Sequence, residues 1–334
     1  MVIEGLGPHG ERASAPERVL LLPEDKARAR AAGLRIAIVL HTLASDWAKQ
    51  QLAGIVGTLG DCGVAVIDVV DCGFTPEVQI EALDRLIREA PDAIISLPVA
   101  NAKVAAAHAR VSAAGIKLVL LDNVPTGLLP GKDYVSLISA DNFGLGKMAA
   151  EGLAPYLGEE AEVGVLGYES DFFATNEREI AFVKWMRINR PRHHLHVARF
   201  PSLTEAGATA SALAKKLPDL KGLFVVWDTP AIAAAAALVS AGLSVPIATV
   251  DLGKEAAISL SGGGPIVTIA AQQPFRQGQT AASTTVTALL SRLTPAWVAL
   301  PGVAVTATNV VESFQTIWRS PAPREVLRQQ KLLR

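Results

Sequence analysis

The sequence predicts an α/β protein built as two doubly wound parallel-sheet lobes, and three observations carry that prediction. Apolar runs of strand length recur along the chain, stretches with helical periodicity separate them, and the alternation breaks at one loop and then starts again. The runs are continuous rather than alternating, which suits strands covered by helices on both faces.

In chain order the first four runs are "LRIAIVL" (34–40), "VAVIDVV" (64–70), "DAIISL" (92–97) and "KLVLLD" (117–122). The plainest helix begins at Thr75-Pro76-Glu77, where Thr75 can cap and Pro76 suits the first turn, and Ile80, Leu83, Leu86 and Ile87 then share a face. Strand, helix and strand at a spacing near 30 residues make βαβ units and a parallel sheet. After the loop "NVPTGLLPGKD" and a short strand "YVSLISA", the alternation restarts with "EVGVLGY", "LHVARF", "GLFVVWD", "PIATVD" and "PIVTIAAQ". Helical stretches follow Asp141, Thr175, Leu203, Thr229 and Lys254. The expected division is an N-terminal segment (1–33), an N-terminal lobe (34–138 plus 273–306), a C-terminal lobe (139–272 plus 307–320) and a C-terminal tail (321–334).

Bulk properties narrow the function. The 334 residues suffice for two domains, each with its own core. A formal net charge of −1 leaves no basic footprint for nucleic acid, and every apolar run falls short of the roughly 20 residues that cross a bilayer. Residues 1–33 lack the charged start and apolar centre of a secretion signal, so either that signal is missing from this sequence or the protein stays inside the cell. Cys62 and Cys72 flank one predicted strand and are expected as two unpaired, largely buried thiols. "GLGPHG" and "SGGG" do not sit between a strand and a helix and read as loops rather than phosphate cradles.

In open parallel sheets a ligand binds outside the carboxyl ends of the strands. Just past those ends stand "HTLASDW" with Ser45 and Trp47, then Asp122-Asn123, Trp227-Asp228, Asp251 and Gln272. Carboxylates accept hydroxyl hydrogen bonds, a guanidinium donates a fork of them, and aromatic faces cover the C–H faces of a sugar ring. Singly, each residue has an ordinary explanation: an Asp closing a strand also forms turns, and a Trp there also packs a core. Their convergence favours a binding site. Enzymatic patterns are weaker. His193, His194 and His196 read as a solvated loop with no carboxylate or thiol nearby to complete a metal site, and there is no G-x-S-x-G elbow. Glu177 and Glu179 serve solvent and the helix dipole. The pair Asp122 and Asp251 could in principle do acid–base work.

At these residues the chain resembles the ribose-binding type of sugar-binding protein, a type I periplasmic binding protein of ABC sugar importers, from Leu34 to about Trp318. The matching positions read "TLASDW" with Trp47, "LDN" with Asp122 and Asn123, "SADNFGLGK" at 139–147, "REIAF" with Arg178, "ATVD" with Asp251 and "AAQQP" with Gln272. Trp227 falls where that family places an Asn or Asp that touches the sugar, and Phe172 and Phe173 precede the Arg helix as a further wall. The resemblance implies two lobes joined by three crossing strands, near Ser139, near Gln272 to Pro274 and near Thr306 to Val310, which close by hinge motion. It implies a solute-binding subunit without catalytic residues, cofactor or metal. Its partners would be a small sugar or polyol and an ABC permease in the membrane, and the protein a periplasmic monomer. Asn123 replaces an Arg of the family, Ala48 a second aromatic and Trp227 a polar contact. The expected ligand is therefore a pentose, a small polyol or a deoxygenated sugar rather than ribose. A competing reading is the effector-binding core of a lactose-repressor-like regulator, which needs a DNA-binding segment of roughly 60 residues where only 33 precede the first strand. A third is an enzyme on a related scaffold.

Overall fold

The computed structural model describes residues 3–332. A 3-10 turn (Pro16–Val19) and α1 (Pro23–Ala32) lead into β1 (Arg35–Leu40), α2 (Asp46–Asp61), β2 (Ala65–Asp71), α3 (Pro76–Glu89), β3 (Ala93–Ser96), α4 (Asn101–Ala113), β4 (Lys117–Leu121) and β5 (Ser136–Ala140). The chain then crosses to a second lobe through α5 (Asn142–Leu153), β6 (Glu162–Tyr168), α6 (Phe173–Asn189), β7 (His194–Phe200), α7 (Ala206–Lys216), β8 (Leu220–Val225), α8 (Asp228–Ser240), β9 (Ile247–Val250), α9 (Lys254–Ser261) and β10 (Ile266–Ala271). It returns for α10 (Pro274–Leu289) and β11 (Trp297–Leu300), and crosses last to β12 (Val303–Val305), α11 (Val310–Trp318) and α12 (Arg324–Leu332).

Each lobe is a six-stranded sheet, ordered β2-β1-β3-β4-β5-β11 and β7-β6-β8-β9-β10-β12. All pairings are parallel except β12 against β10. The expected α/β architecture of two doubly wound lobes and three crossings is therefore present. The strand order reverses beside β1 in one lobe and beside β6 in the other, so both switch points face the junction of the lobes. Central strands are buried along nearly their whole length, which is why their sequences read as unbroken apolar runs.

Several expectations shift. The last crossing lies at residues 301–302 rather than near Thr306, because β12 joins the second sheet; residues 139–140 belong to β5 in the first. The N-terminal segment is no separate unit. Ser14 bridges Val298, Val19 and Ala29 enter the first-lobe core, and Asp25 pairs with Arg292 at 2.5 Å. It supplies a single short helix, and among the described residues preceding β1 there is no helix-turn-helix. Residues beyond 320 are not a loose tail either: Ala322 and Val326 are buried in the second-lobe core. Thr75 stands at the N-cap of α3, yet its hydroxyl donates to the Gly73 carbonyl (3.3 Å) instead of accepting from the helix. Both cysteines are free and buried, with the Cys72 thiol pushed up to about 12 by burial.

In each lobe one helix pair packs backbone against backbone. A β-carbon at Gly54 on α2 would lie 2.1 Å from the Phe275 carbonyl of α10, and one at Gly278 on α10 would lie 2.0 Å from the Gln51 carbonyl. In the second lobe a β-carbon at Gly146 on α5 would lie 2.1 Å from the Arg178 carbonyl of α6. Since backbone atoms cannot step aside, Gly278→Ala is expected to cost at least about 1–3 kcal/mol. Chemical denaturation should show it as a lower midpoint, whereas Gly57→Ala on the open face of α2 should not lower it.

Candidate ligand-binding site

The carboxyl ends of the two sheets meet across the crossings and enclose a cavity of about 280 Å³. That is near the lower end of the roughly 300–1,000 Å³ typical of ligand pockets, so it has room for one small molecule. The first lobe contributes His41 and Thr42 after β1, Ser45 and Trp47 at the start of α2, Phe74 before α3, and Asp122 and Asn123 after β4. From the second lobe come Phe172, Thr175 and Arg178 at the start of α6, Trp227 and Asp228 at the start of α8, Asp251 after β9 and Gln272 after β10.

Ser45, Trp47, Asp122, Asn123, Trp227, Asp251 and Gln272 from the strand-end argument, and Phe172 and Arg178 from the resemblance, line the one cavity. Phe173 does not. It is the first residue of α6 and packs against the first-lobe core, acting as a contact between lobes rather than a cavity wall. Ser45 has a second task, accepting the Ala48 amide at 3.1 Å to cap α2. His41, Phe74 and Asp228 also line the cavity but were not carried into the expected site, although His41 and Asp228 stand within the strand-end segments. Asp228 follows Trp227 directly and could have been taken with it, whereas Phe74 has a positive-φ backbone (57°) in a loop that no sequence pattern marks.

Arg178 is the centre of the site's electrostatics. Its side chain is 4% exposed, donating through Nε to Asn142 Oδ1 (2.9 Å) and through Nη1 to the Val226 carbonyl (3.0 Å). Burial pulls its pKa down, and the charges of Asp251, Asp122 and Asp228 oppose that. Burial pushes Asp122 up to about 6 against the pull of Arg178. Asp251 is likewise raised by burial, again opposed by Arg178 and by Gln272, whose Nε2 donates to Asp251 Oδ1 at 2.5 Å. Asp228 is only half-buried, but crowding by protein and the charge of Asp251 lift it to about 7; its carboxylate accepts from the Gly253 amide (2.7 Å) and the Thr229 hydroxyl (3.3 Å). His41, lowered to about 4 by burial, is neutral at neutral pH.

Asp122 and Asp251 occupy matching places, each just past the fourth strand of its lobe and each with left-handed backbone, φ 53° and 72°. Asp tolerates this conformation better than most residues, and such strain gathers at functional sites. Four buried polar atoms of cavity residues have no partner within the protein: His41 Nδ1, Trp47 Nε1, Asp122 Oδ1 and Gln272 Oε1. Each such orphan costs roughly 1–3 kcal/mol until something pairs with it. Away from the cavity, His194 and His196 lie on strand β7 rather than in a loop, and both bond Glu162 on β6, a carboxylate that linear spacing did not bring near.

A model of the periplasmic binding protein domain matches residues 36–292. The ribose import binding protein of Bacillus subtilis is 26% identical over 255 residues, spanning 74% of this chain and 78% of that protein. Among solved structures, a solute-binding protein of an ABC transporter from Agrobacterium vitis, bound with α-D-tagatopyranose, superposes with a TM-score of 0.79 at 22% identity. It spans 87% of this chain and 100% of its own. A second from the same organism, with bound allitol, gives 0.77 at 23% identity over 85% and 99%. One from Agrobacterium radiobacter, in complex with D-arabinose, gives 0.74 at 20% over 86% and 99%. With its two sheets, its three crossings and the family model matched over most of its length, the chain belongs to the periplasmic binding protein family.

Proposed function

We propose that this protein is the solute-binding subunit of an ABC importer, closing its lobes on one small sugar or polyol and handing it to a membrane permease. The observation that carries the reading is the set of unpartnered polar atoms contributed to one small cavity by both lobes. A polyhydroxylated ligand pairs with such atoms from several directions at once, and the aromatic walls cover its C–H faces. The relatives point the same way, since their bound molecules are a ketohexose, a polyol and a pentose. Asn123 and Trp227 make the walls poorer in hydroxyl-binding donors than a ribose site, which favours a pentose other than ribose, a small polyol or a deoxygenated sugar. Binding is the whole activity. The protein acts as a monomer outside the cytoplasmic membrane, and no described helix is long and apolar enough to cross a bilayer.

Isothermal titration against pentoses, hexoses and their polyols should find one compound bound far more tightly than ribose, and mass spectrometry should recover it unaltered. Ribose as the tightest ligand would refute the specificity, and a chemically altered ligand would refute the carrier role. Asp251→Asn should weaken the best ligand by about 10–150-fold, the equivalent of a charged hydrogen bond of roughly 1.5–3 kcal/mol, with the melting curve of the free protein still cooperative.

Affinity should also depend on pH. Ligand hydroxyls donate to ionised Asp122, so binding favours the form that burial disfavours, and affinity should rise as pH climbs through about 6. Titrations in buffers of differing ionisation heat should show a proton released on binding near that pH. The ligand-free fold has the opposite trend. A carboxyl raised in the folded state contributes stability that is present below its unfolded pKa near 4 and is lost as pH rises through 6.

A further inference from the structure

We infer that the ligand carries a protonated amine, so that the cleft selects an amino sugar or amino polyol over its neutral parent; this rests on the sugar-binder reading above. The cavity walls hold three carboxylates, Asp122, Asp228 and Asp251, against one fixed cation, Arg178. His41 is neutral there, Asn123 beside Asp122 carries no charge, and no lysine or second arginine lines the space. When all three acids are ionised, two negative charges are left over in a site whose acids at 122 and 251 are 4% and 7% exposed.

Arg178 cannot serve as the cation for all three. Two of its donor positions are committed to Asn142 and the Val226 carbonyl, which fixes the guanidinium against the second lobe. Asp228 is in turn held by the Gly253 amide, so its charge is oriented rather than free to swing into solvent. Closing such a site on a neutral polyol supplies hydrogen bonds but no counter-charge for the excess. An ammonium group compensates it, and the rings of His41, Trp47, Phe74, Phe172 and Trp227, which line the space from both lobes, supply aromatic partners for it. A bare metal ion is the poorer occupant: among the described residues no three His, Cys, Asp or Glu side chains converge as a metal site.

The test is a set of matched titrations on the full chain at pH 7.5, pairing 2-amino-2-deoxyhexoses and 1-amino-1-deoxypentitols with their neutral parents. At least one amine should bind ten or more times tighter than its parent. Asp228→Asn should cut that amine's affinity by at least ten times more than it cuts the parent's. Parents that bind as tightly as the amines overturn the inference and leave the sugar-binder reading standing, as does an Asp228→Asn effect shared equally by both. No binding by either class overturns both. Should the variant fail to fold, the wild-type comparison decides alone.

Discussion

Arg178 brings a full positive charge to a position that is 4% exposed, between two lobes whose strand ends carry carboxylates. A buried charge of that kind persists only when paired and hydrogen-bonded, and the surroundings of Arg178 answer to that demand. Its own helix, α6, is set by the close approach of α5, where Gly146 leaves no side chain between the two backbones. The loop after β8 turns the Val226 carbonyl toward the guanidinium, and the start of α5 supplies Asn142. Burial raises both Asp122 and Asp251, and Arg178 pulls against that desolvation in each. A bulkier residue at Gly146 would therefore disturb binding from the far side of α6.

The two lobes are variations on one design. Each ends its fourth strand with an aspartate in left-handed backbone, and each pairs a helix of the lobe with a close-packed partner through glycine. The differences define the site. The first lobe gives His41, Trp47 and Phe74, which meet edge to face with ring centroids 6.0 and 4.9 Å apart around His41. The second gives the arginine, two of the three acids and Trp227, which is wedged against Tyr168 and Phe200. Aromatic rings thus line the cavity from both lobes, while the arginine and two of the three acids come from the second.

Much of this could be read from the chain because the features involved are local. A continuous apolar run announces a two-sided strand, and a polar residue just past it falls at the sheet's carboxyl edge whatever the rest of the chain does. That is how Asp122, Trp227, Asp251 and Gln272 could be placed together. What could not be read depends on partners far apart in sequence. β12 is three residues long and joins the second sheet only by pairing antiparallel to β10, so the third crossing fell several residues from its expected place. His194 and His196 meet Glu162 across 32 and 34 residues. Phe173 and Phe172 are adjacent, and only the helix start decides that one faces the cavity and the other the opposite lobe.

Among the contacts that join the lobes near the cavity are one long hydrogen bond and two aromatic packings. Asn123 Oδ1 accepts the Ala174 amide at 3.4 Å, Phe173 touches the first-lobe core, and Trp47 packs against both cores. Opposing them is charge, since Asp122 stands on one lobe and Asp228 and Asp251 on the other, all desolvated further as the cleft shuts. The empty protein therefore gains little by closing. On the proposed function, a ligand that pairs the orphan atoms would bind the closed form selectively, and the equilibrium would shift only by that difference in affinity. On that proposal the groups that select the ligand would also make closure conditional on its being inside.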